Sequence, residues 1–144
     1  MGKHASPKRA SEENVSLLRR FYESFNQGDL DSVLELCTAD VEVYKDPEVV
    51  EMVAAFTPRG QERVAQYLRG WLESWRDYQA RPQEFLQSGD EVAALTEARA
   101  RGPNSQFEIE GEMADVFTVR DGRIARFRLY IERSAALDSL RSAP

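Results

Sequence analysis

The chain has 144 residues, of which 42% are hydrophobic and 31% are charged, and its formal net charge at pH 7 is −6. This length and composition predict one globular domain, and the acidic balance argues against nucleic acid as a partner. No apolar run approaches about 18 residues, so we expect no membrane-spanning helix and no membrane partner. Lone Cys37 cannot form an internal disulfide, which favours a cytoplasmic location.

Histidine is almost absent from the sequence. The only one, His4, lies in a polar N-terminal segment. The rest of the chain therefore cannot assemble a Ser-His-Asp or Cys-His catalytic group, and we expect no metal site built on imidazole ligands. Any acid–base chemistry must use carboxylates, tyrosines or Lys45.

The first half of the chain is predicted to be mainly helical. Residues 1–10 predict a flexible tail, followed by a single domain over residues 11–144. Apolar residues at helical spacing predict three helices. An apolar patch between Pro47 and Pro58 is open to two interpretations, a short helix or a lid-like loop. The predicted helices span Ser11 to Asn26, Leu30 to Cys37 and Gln61 to about Trp75, with a short strand from Val41 to Tyr44.

The second half predicts a sheet of four consecutive strands. Pro82 interrupts the first of them, which predicts an edge or a bulge, and Asp121-Gly122 is typical of a two-residue hairpin. Helices followed by an antiparallel meander predict an α+β fold with the helices on one face of a curved sheet. The predicted strands span Arg76 to Gln87, Glu91 to Arg101, Gln106 to Arg120 and Arg123 to Arg133, and Ser134 to Leu140 predict a closing helical turn.

The two faces of this predicted sheet differ in character. Strict alternation places apolar side chains on the face toward the helices. The opposite face is predicted to be a field of opposite charges, either solvated with cross-strand ion pairs or forming a sheet-to-sheet interface between two copies. Its predicted members are Glu97, Arg99, Arg101, Glu108, Glu110, Glu112, Arg120, Arg126, Arg128 and Glu132.

Asp115 is the exception to this alternation, because it is the one charged residue on the apolar face of its strand. A carboxylate there is costly as an anion, so its pKa is expected to rise and to leave an acid able to donate a proton. Two other interpretations stay open. Asp115 accepts hydrogen bonds from a tyrosine or a backbone N–H and only orders the core, or a bulge at Gly111 turns it outward.

Asp46 is the second candidate for catalysis. It precedes Pro47 at the end of the short strand, at the expected mouth of a cavity between helices and sheet, although Asp-Pro is also ordinary turn chemistry. Aromatic and apolar residues near this cavity are candidates to bind a substrate, and the bland alternative is that they only fill the core. The candidates are Tyr22, Tyr44, Phe56, Tyr67, Trp71, Met113, Phe127 and Leu129.

Four segments resemble one superfamily. Residues 21–30 (FYESFNQGDL) resemble the first-helix signature of nuclear transport factor 2-like proteins, and residues 40–43 (DVEV) resemble their first strand. Arg59-Gly60 before a helix is their usual third-helix entry. Residues 115–124 (DVFTVRDGRI) are similar to the late hairpin of SnoaL-like polyketide cyclases. The resemblance covers about residues 12–140 and implies a cone-like, curved, mostly antiparallel sheet with three helices packed on its concave face.

The resemblance also implies roles for the two aspartates. Ketosteroid isomerases of this superfamily carry a general base where Asp46 lies and an oxyanion-stabilising acid where Asp115 lies, and SnoaL-like cyclases place their acid–base aspartate at Asp115 too. The first-helix tyrosine of the isomerases falls at Phe21, so we expect Tyr22 to face elsewhere. Epoxide hydrolases of this superfamily need polar residues where this chain has Ala98, Ala100 and Leu129, so that activity is not expected.

These observations lead to hypotheses of different classes. The first is a cofactor-free isomerase or cyclase, in which Asp46 removes a proton beside the carbonyl of a small apolar compound and Asp115 stabilises the enolate. The second is a non-catalytic dimeric module that binds an apolar ligand or a protein. The third is a purely structural dimer with a filled cone.

Overall fold

The computed structural model describes residues 7–44, 58–74, 76–101, 108–130 and 132–142. Within these residues no helix is both long and apolar enough to cross a membrane. The helices are α1 (Glu12–Asn26), α2 (Leu30–Glu35), α3 (Gln61–Ser74) and α4 (Arg133–Ser142), and the strands are β1 (Lys8–Arg9), β2 (Cys37–Tyr44), β3 (Arg76–Ser88), β4 (Glu91–Arg101), β5 (Glu108–Arg120) and β6 (Arg123–Tyr130).

The six strands form one curved sheet in the order β1-β3-β4-β5-β6-β2. All neighbouring strands run antiparallel except β2, which pairs in parallel with β6. Helices α1, α2 and α3 pack on one face of the sheet, which confirms the predicted α+β class. The fourth helix, α4, is longer than the predicted closing turn and lies on the other face.

Helix α1 forms where the sequence predicts it. The Ser11 hydroxyl caps the helix by accepting a hydrogen bond from the Asn14 amide N–H at 3.2 Å, which satisfies one of the unpaired donors of the first turn. After Asn26 the chain turns at Gly28, whose φ of +74° suits glycine. The buried side chains of α1 form one stripe toward the sheet: Leu17, Leu18, Phe21, Tyr22 and Phe25.

The chain joins the sheet before residue 11. Lys8 and Arg9, which the sequence analysis assigned to the tail, pair with Gln87 and Leu86 of β3. The next residue, Ala10, is only 6% exposed, and its amide N–H donates to the Phe85 carbonyl at 3.0 Å. The described part of the predicted tail is therefore an edge strand, held by backbone hydrogen bonds that side-chain periodicity does not encode.

The strand register decides which way Asp115 points. A register shift follows Pro82 in the β3–β4 pair, as the proline predicts. By contrast, β4 and β5 pair without a shift from Glu91 to Arg101, straight past Gly111. Asp115 lies opposite buried Ala94 and therefore faces the helices. The outward-facing interpretation of Asp115 is wrong.

The outer face of the sheet is not a continuous field of charges, so that prediction is partly wrong. Its centre is an apolar strip that α4 covers with Ala136 and Leu140, both 0% exposed. Alternation predicted the direction of these side chains but not their neighbour. Charged residues flank the strip, for example the ion pair between Arg99 and Glu110 at 3.4 Å. The strip consists of Ala93, Leu95, Ala114, Val116 and Tyr130.

One side chain holds α4 against the sheet. The Arg133 guanidinium donates to the backbone carbonyls of Thr96 at 2.7 Å and Met113 at 3.3 Å. It also donates to the side chains of Gln83 at 2.7 Å and Glu112 at 3.1 Å. Because five fixed N–H donors radiate from a planar group, one arginine can join three strands to the start of the helix.

Candidate functional site

A cavity lies between α1, α3 and the concave face of the sheet. Its described walls are largely aromatic, with one acidic side chain and no basic one. The volume of the cavity is about 50 Å³, which is room for about one or two water molecules. The residues that line it are Phe21, Tyr22, Phe25, Val43, Tyr67, Leu68, Trp71, Tyr78, Ala80, Asp115, Phe127 and Leu129.

The aromatic walls are held by contacts between rings from different elements. Phe21 of α1 meets Phe127 of β6 and Phe117 of β5 edge to face, with ring centroids 5.5 Å and 5.1 Å apart. On the other side, Tyr78 of β3 meets Phe25 at 5.7 Å and Trp71 at 5.8 Å. Edge-to-face packing of this kind adds to the burial of the rings themselves. Packed aromatic rings therefore form both sides of the cavity.

Asp115 is the acidic group of the cavity. Protein atoms surround its carboxyl group, although the residue keeps some contact with the open space. Removal from water disfavours the anion and raises the pKa of Asp115 to about 6. The hydrogen bond from Tyr22 acts in the opposite direction and is the weaker effect. This carboxyl group thus changes its protonation state just below neutral pH.

Tyr22 is the partner of Asp115, and the expectation that Tyr22 faces elsewhere is wrong. Its hydroxyl donates a short hydrogen bond to Oδ2 of Asp115. Burial first, and the nearby carboxylate second, raise the pKa of Tyr22 well above its usual value. Phe21 and Tyr22 are both buried because the apolar stripe of α1 is wide enough for neighbouring residues. The isomerase-like position at Phe21 carries no hydroxyl, and Tyr22 supplies one from the next residue.

Tyr67 and Tyr78 also lie near the carboxyl group of Asp115. Burial, followed by the charge of Asp115, raises the pKa of Tyr67 and of Tyr78. The indole N–H of Trp71 donates to the Tyr78 hydroxyl and partly offsets this effect. Tyr78 was not among the residues predicted for the cavity. Its signal was the spacing of two residues between Tyr78 and buried Ala80 in β3, which the register shift between Arg76 and Gln79 obscures.

Helix α1 is fastened to β3 beside the cavity. The Asn26 side-chain amide donates to the Ala80 carbonyl at 2.9 Å and accepts from the Ala80 amide N–H at 3.0 Å. A primary amide can replace a neighbouring strand in this way, because it offers one donor and one acceptor side by side. This pair of hydrogen bonds fixes α1 relative to the wall that carries Tyr78.

The structure brings together most of the predicted substrate-binding residues. Tyr22, Tyr67, Trp71, Phe127 and Leu129 line the cavity with Asp115. Met113 lies on the same face of β5 and is buried, but it is not among the described residues that line the cavity. The backbone of Tyr44 ends β2, and its side chain, like all of Asp46 and Phe56, lies outside the described residues.

No cluster of three or more His, Cys, Asp or Glu side chains that could hold a metal ion occurs in the described part of the chain. Cys37 is a buried free thiol, whose pKa burial raises to about 12. It stays protonated at neutral pH and donates to the Val33 carbonyl at 3.3 Å. The polar groups of the described cavity are therefore the carboxyl group of Asp115, three phenols and the indole N–H of Trp71.

These features define a class of protein: a curved-sheet α+β protein with an aromatic cavity and a buried acid on its concave face. The model of the SnoaL-like domain matches residues 18–127. The chain therefore belongs to the SnoaL-like family, as residues 21–30 and 115–124 suggested. The sequence matches no protein among those with curated descriptions.

Solved structures share the fold at low sequence identity. A nuclear transport factor 2-like protein of unknown function from Burkholderia pseudomallei is 22% identical, with a TM-score of 0.73 over 92% of this chain and 100% of that one. TerC, co-crystallised with polyporic acid, is 19% identical, with a TM-score of 0.70 over the same shares. A protein described as a polyketide cyclase from Sinorhizobium meliloti is 20% identical, with a TM-score of 0.64 over 83% and 99%.

Proposed function

We propose that this protein binds a small apolar carbonyl compound in the aromatic cavity and transfers protons on it. The observation that carries the proposal is the carboxyl group of Asp115, enclosed among aromatic rings and bonded to the Tyr22 hydroxyl. The walls supply apolar contact area, and the carboxyl group supplies one directional hydrogen bond. The small cavity volume favours a compact substrate.

Asp115 acts in its protonated form in this proposal. The Tyr22 hydroxyl is hydrogen-bonded to Oδ2 of Asp115. A proton on the other carboxyl oxygen of Asp115 can therefore be donated to the carbonyl oxygen of the substrate. When a proton leaves the neighbouring carbon, negative charge develops on that oxygen, and the acid stabilises it by a hydrogen bond among largely apolar walls. The raised pKa of Asp115 keeps a fraction of the molecules protonated near neutral pH.

Asp46 is the proposed general base. It removes the proton beside the carbonyl and returns it to a different carbon in an isomerisation. In an aldol-type cyclisation the enolate instead attacks a second carbonyl carbon, whose oxygen takes up a proton. Both reactions balance without a cofactor. A carbon–carbon double bond shifts in the isomerisation, a carbon–carbon bond forms as the second C=O π bond opens in the cyclisation, and neither reaction involves a net oxidation or reduction.

Deuterium exchange tests the proposal without knowledge of the natural substrate. Cyclopentanone and cyclohexanone are incubated in D₂O with the protein, and deuterium uptake beside the carbonyl is followed by NMR. We expect the wild-type protein to accelerate uptake and Asp115→Asn to reduce the acceleration about 100-fold or more. The rate should fall as pH rises above about 6, because Asp115 then loses its proton.

The control variant is Glu110→Gln, which removes the same charge from the exposed outer face. It should exchange deuterium as the wild-type protein does. The proposal is refuted if Asp46→Asn/Asp115→Asn accelerates uptake as well as the wild-type protein, or if no protein accelerates it.

A second candidate is a non-catalytic module that holds an apolar ligand. It is favoured by the Tyr22–Asp115 hydrogen bond, which already satisfies one carboxyl oxygen inside the protein. Native mass spectrometry of the purified protein distinguishes the two. A co-purifying ligand that is released chemically unchanged supports the binding module.

We also propose that two copies of the protein associate through the charged residues of the outer sheet face on both sides of α4. Oppositely charged residues such as Arg99 and Glu110 on one face allow a self-complementary pairing. Because α4 covers the centre of this face, the contact is confined to its flanks. Light scattering at low and high salt tests this, since an interface of charges weakens as salt screens it.

A further inference from the structure

We infer that the aromatic cavity also binds small organic cations of the alkylated ammonium class, with Asp115 as the counter-ion. The inference goes beyond proton transfer on a carbonyl compound and does not depend on any turnover. Two observations carry it: the rings of the wall, and a carboxyl group without a positive charge beside it among the described lining residues.

Aromatic rings converge on the cavity from four elements. Phe21 and Tyr22 come from α1, Tyr67 and Trp71 from α3, Tyr78 from β3 and Phe127 from β6. The face of each ring is electron-rich and attracts a cation, most strongly for tryptophan and tyrosine. Alkylated ammonium ions suit such a wall, because their methyl groups spread the charge and lose little hydration on entering it.

The charge of Asp115 has no partner of opposite sign in the described cavity. Three phenols face its carboxyl group: Tyr22 from α1, Tyr67 from α3 and Tyr78 from β3. The described residues that β2, β4 and β6 place nearby are Val43, Ala94, Phe127 and Leu129, none of which titrates. An ionised carboxylate in such surroundings is poorly compensated. A ligand with one positive charge supplies the missing compensation, whereas an anionic ligand would be repelled.

The Asp115 carboxyl group also leaves one contact point for such a ligand. Tyr22 donates to Oδ2, so a trimethylammonium group can approach the other carboxyl oxygen.

The two ligand classes require opposite protonation states of Asp115. A carbonyl oxygen needs a proton on the carboxyl group, whereas a cation needs the carboxylate. Because the pKa of Asp115 is about 6 in the empty cavity, the affinity for a cation should rise about tenfold between pH 5 and pH 7.5. The affinity for a carbonyl ligand should fall over the same range.

Choline and its uncharged isostere 3,3-dimethyl-1-butanol provide the test, because they share one shape and differ in charge. Their affinities for the full chain are measured by NMR titration at about pH 5 and pH 7.5. At pH 7.5 we expect choline to bind at least about tenfold more tightly than the uncharged alcohol. Asp115→Asn, which keeps an acceptor for Tyr22, should remove this preference, and the matched charge control Glu110→Gln should retain it.

Three outcomes overturn the inference: no saturable shift with choline or tetramethylammonium, equal affinity for the alcohol, or a preference that survives in Asp115→Asn. Its failure is distinguishable from failure of the proton-transfer proposal, because the deuterium-exchange assay contains no cation. Choline binding without ketone exchange supports the cation site alone, and exchange without choline binding supports the carbonyl reaction alone.

Discussion

Replacement of Asp115 by asparagine should change how the stability of the protein depends on pH. The pKa of Asp115 is about 6 in the folded protein, against 3.8 for an ordinary aspartate. The folded state therefore holds this proton more tightly than the unfolded chain does. As pH rises from about 4 to about 6, the unfolded chain releases its proton first, and the free energy of unfolding falls.

The size of this effect follows from the two pKa values. Each pH unit between them is worth about 1.4 kcal/mol, so ionisation of Asp115 costs the folded state about 3 kcal/mol. The full cost applies above about pH 6 and is absent below about pH 4. Asparagine cannot titrate, and its carbonyl oxygen can still accept the hydrogen bond from Tyr22.

Urea unfolding of both proteins at about pH 4 and pH 7.5 measures the difference. The free energy of unfolding of Asp115→Asn, relative to the wild-type protein, should rise by about 3 kcal/mol between these two values. For Glu110→Gln, at an exposed ion pair, the free energy of unfolding relative to the wild-type protein should change by less than about 1 kcal/mol between the same two pH values. If Asp115→Asn and the wild-type protein respond equally to pH, the carboxyl group ionises as it does in water, and the argument fails.

Leucine at position 115 is a less clean replacement. It removes the cost of ionisation, but it also leaves the Tyr22 hydroxyl without an acceptor in a buried place. An unsatisfied buried donor costs about 1–3 kcal/mol, which offsets much of the expected gain. The two replacements together separate the charge of Asp115 from its hydrogen bond.

Three other predictions concern single side chains. Tyr22→Phe should raise the pKa of Asp115 further, because the hydrogen bond that favours the anion is lost. NMR titration of the Asp115 carboxyl carbon measures this pKa, and an unchanged or lower value would contradict the geometry. Arg133→Met should cost about 1–3 kcal/mol and speed amide exchange in α4, since two backbone carbonyls lose a charged donor. Cys37 should react with a thiol reagent only on unfolding, and fast labelling of the native protein would refute its burial.

The sequence by itself determined most of the elements and the direction of most side chains. The spacing of apolar residues placed α1 within one residue of its observed start. The turn Asp121-Gly122 set the final hairpin. Alternation put Asp115 on the apolar face of β5, where the structure has it. These features are local, because each depends on residues that are near one another in the chain.

Only the tertiary structure decided what each side chain meets. Phe21 and Tyr22 are adjacent on a wide apolar stripe, so the orientation of α1 on the sheet selects which of them reaches Asp115. In the same way, the apolar strip of the outer face is covered by α4, and Lys8–Arg9 forms a strand beside β3. These contacts join residues that are distant in the chain. Periodicity within one segment identifies a buried face, but it does not encode which other segment buries it.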